Sequence, residues 1–163
     1  CSCKGYKSCP GDVWVSTALR DLYQEIILEH SRNPKNSGIM ANADAKATGN
    51  NPLCGDKIVV YLKLDGDRIQ DARFDARGCA ISVASASMMM EMLIGKTIAE
   101  VKKEHNRFTD LLISKDDPCL ADDDELSALM GVREFPARLK CATLPWEALV
   151  AAFDGNETDV TTE

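Results

Sequence analysis

From Ser16 onward the apolar positions fall into a helical rhythm. Leu19, Leu22, Tyr23, Ile26 and Ile27 recur at the spacing of one helix face. Ser16 can cap the start, and "SRNPKNSG" ends the helix because Pro34 and Gly38 do not continue it. His30, at the end of the stripe, reads as a packing or helix-dipole residue rather than a ligand. Residues 39–53 read as loop and short extended structure. In "KIVVYLKL" the period changes to two, with Ile58, Val60, Leu62 and Leu64 on one face. "DGD" (Asp65 to Asp67) signals a hairpin turn, and the return strand runs from about Arg68 to Arg77. Its alternation is imperfect, since Ile69 and Phe74 fall on opposite parities.

Between Gly78 and Gly95 the only charge is Glu91, so "CAISVASASMMMEMLI" reads as a helix buried nearly all round. Its methionines are core filler, a soft-metal site being the lesser alternative. "TIAEVKKEHNRFTDLL" is an amphipathic helix with His105 on a solvated face. Asp116 to Glu125 is a loop or helix start, and "DELSALMG" a short helix. "EFPARLKCATLPWEALVAAF" reads as two helical pieces split by Pro145, the last docked by Trp146, Leu149, Val150 and Phe153. The pattern predicts an α+β fold, a small antiparallel three-stranded sheet packed against several helices. Residues 1–15 form an N-terminal arm, 16–154 one domain, and 155–163 a flexible acidic tail.

The 163 residues suffice for one real core. The formal charge of −7, with no Lys/Arg-rich block, argues against nucleic acid as a partner. No apolar run approaches the ~18 residues of a membrane span, and no signal peptide is visible in the opening residues. Seven cysteines is an odd, unevenly spaced set, which points to thiols kept for metal or sulfur chemistry in a reducing cytoplasm. Cys1, Cys3 and Cys9 read as free thiols in a loose arm, and Cys119 as a bystander.

Three cysteines remain. Cys54 lies in "NNPLCGDKIVV" with Asp56 two residues on, Cys79 at a strand-to-helix junction, and Cys141 on a late helix. Three thiols and a carboxylate suit tetrahedral zinc, and thiolates favour zinc, copper(I) or iron–sulfur over calcium or magnesium. Cys79 at a helix N-terminus would favour thiolate. Arg138 shares a helical face with Cys141, and Lys57, Arg77 and Lys140 flank the set. The spacing equally allows Cys79 and Cys141 as buried small hydrophobes.

The segments "NNPLCGD", "GCAISVASASMM" and "GVREFPARLKCATLPWEAL" resemble the U-type iron–sulfur assembly proteins, from about Asp21 to Phe153. Within that superfamily they are similar to the SufU-like branch. Lys140, rather than the His of classical IscU scaffolds, precedes Cys141. The stretch from about Asn106 to Met130 looks like that branch's insertion. The resemblance implies an IscU/SufE-like fold and one zinc held by Cys54, Asp56, Cys79 and Cys141. It also implies a zinc-dependent sulfurtransferase that takes persulfide sulfur from a SUF-type cysteine desulfurase for downstream iron–sulfur assembly proteins. In such proteins a desulfurase His displaces one zinc-bound Cys. Gly55 makes Cys54 the most mobile thiol and hence the expected acceptor, with Arg138 steadying negative charge beside it. Related scaffolds use their third cysteine, which keeps Cys141 as the alternative. Two other functions stand beside this one: a scaffold for a transient [2Fe–2S] cluster, and a structural zinc module.

Overall fold

The computed structural model describes residues 17–113, 125–155 and 159–161. The expectations for Ser16, Cys1, Cys3, Cys9 and Cys119 lie outside these residues. The chain runs α1 (Thr17–Arg32), β1 (Ala45–Asn51), β2 (Asp56–Asp65), β3 (Arg68–Arg77), α2 (Ala80–Leu93) and α3 (Ile98–Ile113). A tightly wound 3-10 helix (Glu125–Glu134), α4 (Pro136–Phe153) and a short β4 (Asp159–Thr161) complete it.

Strands β1, β2 and β3 form the expected antiparallel meander, and the sheet order is β3-β2-β1-β4. The fourth strand was not expected. It lies within the stretch read as a flexible tail and pairs parallel to β1, Gly49 opposite Val160. Three residues with one valine carry too little pattern to be read as a strand. They pair because β1 offers a free edge.

Along β2 Ile58, Val60 and Leu62 are buried, as the alternation predicts, Leu64 is only half-buried, and Tyr61 is buried on the opposite parity. The irregular parity of β3 has a specific cause. Leu64 pairs with Ile69 but Lys63 pairs with Asp71, so Gln70 is an extra residue and a bulge. One inserted residue flips the face of everything beyond it. Ile69, Ala72 and Phe74 therefore share the buried face despite their odd and even numbers.

Helices α2 and α4 cover that face, α2 buried from Ala84 through Met90. α4 comes closest at Gly49, where an added Cβ would stand 3.0 Å from Leu144 Cδ1. The helix is continuous through Pro145, contrary to the expected split. Pro costs roughly 3 kcal/mol inside a helix, but Leu144, Pro145, Trp146, Ala148 and Leu149 are all buried. Their packing outweighs that cost. Two further expectations change. Leu22 is 49% exposed, while Tyr23, Ile26 and Ile27 dock α1. His105 is not on a solvated face; it lies between α3 and α4, 3.7 Å from Glu147 and beside Trp146.

Candidate metal centre

Strands β1 and β2 end their pairing at Asn51 opposite Asp56, and Pro52 to Gly55 make the turn between them. Gly55, at φ +70°, closes it with an N–H bond to Asn51 O of 2.9 Å. Asn51 Oδ1 also accepts the Leu53 N–H at 3.1 Å, an Asx turn. This geometry explains the thiol and carboxylate two residues apart. Cys54 stands exposed at the tip, and Asp56, the first residue of β2, points inward and is 2% exposed.

Cys79 is the N-cap of α2, in extended conformation. Its N–H donates to Asp56 Oδ1 at 2.8 Å, and its Sγ lies 3.6 Å from Asp56 Oδ2. One carboxylate oxygen is thus anchored while the other faces sulfur. Cys141 lies fully buried on α4, with Sγ 3.3 Å from Cys54 Sγ. The Ser85 hydroxyl donates to Ala142 O at 2.6 Å, which ties α4 to α2 beside the thiols.

Ligand atoms of Cys54, Asp56 and Cys141 lie within 4.8 Å of one another, and Cys79 adjoins them through Asp56. On a tetrahedral zinc, sulfurs would stand about 3.8 Å apart and sulfur and oxygen about 3.5 Å apart, given bond lengths of about 2.3 and 2.0 Å. The observed 3.3 and 3.6 Å are close to those edges. Two sulfurs and one oxygen form the close group, Cys79 Sγ stands outside it but 3.6 Å from Asp56, and this soft donor set suits zinc over hard cations, so the residues present fit the ion. Burial, then hydrogen bonds with Cys54 and Asp56, push the Cys141 thiol up. Arg138 stands exposed one turn earlier on α4. Interaction with Cys141 first, then with Cys79 and Cys54, holds its guanidinium above the ordinary arginine range. Lys57 and Arg77 are exposed and pair directly across β2 and β3.

The structure thus brings together Cys54, Asp56, Cys79, Cys141 and Arg138. It adds Asn51, Gly78 and Ser85, which the sequence reading passed over. Asn51 could have been found by parity, since Ala47, Gly49 and Asn51 alternate inward. A second group, His30, Glu91 and Glu125, also has ligating atoms within 4.8 Å. Both His30 nitrogens are already taken, Nδ1 by Ser87 Oγ at 2.7 Å and Nε2 by Glu125 at 3.0 Å. This buried imidazole is a clip joining α1, α2 and the 3-10 helix. A surface concavity lined by Met40, Asp44, Tyr61 and Ala152 includes none of the thiols.

The family described as the NifU-like N-terminal domain matches residues 22–154. The zinc-dependent sulfurtransferase SufU of Bacillus subtilis (strain 168) is 44% identical over 131 residues, 80% of this chain and 88% of that protein. The iron–sulfur cluster assembly scaffold protein IscU of Streptococcus pyogenes serotype M1 is 38% identical over 134 residues, 82% of this chain and 84% of that one. Among solved structures, a Fervidobacterium islandicum AW-1 protein ascribed to iron–sulfur cluster assembly scaffolding in a SUF system superposes with a TM-score of 0.73. It is 34% identical and covers 82% of this chain and 97% of its own. No described helix is long and apolar enough to cross a membrane.

Proposed function

Because the chain belongs to the NifU-like N-terminal domain family, we propose that it is a zinc-dependent sulfur carrier for iron–sulfur cluster assembly, loaded by a SUF-type cysteine desulfurase in the cytoplasm. Cys54, Asp56, Cys79 and Cys141 are the zinc ligands. The observation that carries this reading is the contrast between the two sulfurs 3.3 Å apart: Cys54 is exposed at a turn, Cys141 buried in a helix. An exposed thiol on a turn can meet a partner's persulfide, which a buried one cannot.

Zinc bound there would keep the thiols deprotonated at neutral pH. The chain's own residues do the rest. Cys54 Sγ attacks the outer sulfur of the desulfurase's cysteine persulfide as thiolate. The donor's S–S bond breaks, and its cysteine leaves with the electron pair as thiolate. The transferred sulfur stays on Cys54 as a new persulfide, with no net oxidation. Asp56, a hard ligand anchored by the Cys79 N–H, does not compete for sulfur. Arg138 lies where it can balance the charge of the thiolates.

The deciding experiment incubates the zinc-loaded chain with desulfurase and cysteine, then maps added sulfur by peptide mass spectrometry. A gain of 32 mass units on Cys54, abolished by Cys54→Ala while much of the zinc stays bound, is the expected result. Sulfur on Cys141 alone would reassign the acceptor. No sulfur gain, with a [2Fe–2S] cluster formed and passed to an apo-ferredoxin, would favour the scaffold reading.

A further inference from the structure

We propose that Asn51 selects which thiol reacts: its side-chain amide holds Cys141 in the centre and leaves Cys54 as the labile sulfur. The proposal deepens the sulfur-carrier reading, but its test needs no desulfurase.

Asn51 is the last inward position of β1, following Ala47 and Gly49. It is 1% exposed, and a buried primary amide needs partners at both ends. Its Oδ1 accepts the Leu53 N–H at 3.1 Å. Its Nδ2 donates to Cys141 Sγ at 3.7 Å. The chemistry fixes the orientation. A flipped amide would set NH2 against the Leu53 N–H and lose that bond, so the Leu53 N–H fixes Oδ1 toward itself and Nδ2 toward the sulfur.

The two thiols therefore differ in more than exposure. Cys141 receives a donor from Asn51. Among the described residues, the only partner of Cys54 Sγ within hydrogen-bonding distance is the Cys141 sulfur itself. A thiolate that accepts N–H bonds holds its charge more tightly and attacks more slowly. Asn51 thus quiets the inner sulfur, and the same side chain pins the backbone one residue before the outer one. It is a positioning residue, since it acts through Cys141 and the turn.

The test treats the zinc-loaded full chain with limiting iodoacetamide and follows alkylation of Cys54 and Cys141 by peptide mass spectrometry. In the unaltered chain Cys54 reacts first. Asn51→Asp keeps the acceptor for Leu53 but loses the donor to sulfur, and Asn51→Ala loses both. Each should raise the share of Cys141 alkylation about tenfold, and weaken zinc about tenfold in chelator competition, the scale of other outer-shell losses at metal sites. Circular dichroism and melting temperature check that each variant keeps the fold and stability of the unaltered chain, so that a raised Cys141 share reports the lost donor and not a general loosening. If Asn51→Ala fails to fold, the isosteric Asn51→Asp carries the test. A folded variant with the original order and ratio overturns the proposal. A shifted ratio in a chain that takes no sulfur from a desulfurase would uphold the role of Asn51 and sink the sulfur-carrier reading instead.

Discussion

The carboxylate of Asp56 occupies the place where a side chain at Gly78 would stand: a Cβ there would lie 2.8 Å from Asp56 Cγ and 3.0 Å from its Cβ. A missing methyl group on one element thus makes room for a candidate ligand on another. Gly78→Ala should displace Asp56 from the Cys79 N–H and weaken zinc about tenfold or more in chelator competition. Gly131→Ala, with nothing within 4 Å, should leave affinity unchanged.

The two neighbouring sulfurs should differ in what they contribute to stability. Measured on metal-free chain by urea titration, Cys54→Ala at the exposed tip should change stability by no more than about 0.5 kcal/mol. Cys141→Ala removes a fully buried side chain and should cost about 1 kcal/mol or more.

Cys141 also sets a pH dependence. Burial raises its folded thiol above the ordinary value, so the native state keeps a proton that the unfolded chain gives up near pH 8.5. Stability of the reduced, metal-free chain should hold below about pH 8.5 and fall as pH rises beyond it. The slope is at most about 1.4 kcal/mol per pH unit for one proton. Cys141→Ala should flatten that slope. Zinc must displace this proton, so affinity should fall as pH falls and binding should release protons. Calorimetry in buffers of different ionisation enthalpy measures that release.

The clip at His30 gives a further expectation. Its imidazole is 6% exposed and bonded at both nitrogens. His30→Ala should cost about 2 kcal/mol, seen as a lower melting temperature. Glu125→Gln should cost under about 1 kcal/mol, because the Glu125 side chain is 56% exposed.

Much of this was legible before any coordinates, for identifiable reasons. The helix between Gly78 and Gly95 announced its burial because Glu91 alone among its residues is charged, and Glu91 is exposed next to buried Met90. The strand from Asp56 showed its buried face through Ile58, Val60 and Leu62, although Tyr61 between them is buried too. Spacing alone left the ligand question open, and the longer motifs around Cys54, Cys79 and Cys141 drew those residues together. What stayed hidden depends on contacts between distant segments. The bulge at Gln70 exists only relative to its partner strand. Pro145 reads as a break until the packing of Leu144 and Trp146 is known. Asn51 looks like turn punctuation before Pro52 until Cys141, far along the chain, arrives beside it.

That long separation has a consequence for biosynthesis. The hairpin tip with Cys54 and Asp56 leaves the ribosome before Cys79, and Cys141 with the whole of α4 follows only some 62 residues after Cys79. Domains fold as units as they emerge, so a nascent chain displays two thiols and a carboxylate without the inner sulfur. With the proposed ligand set, secure metallation must wait until α4 has been made, and a chain truncated before α4 would carry an open, leaky half-site.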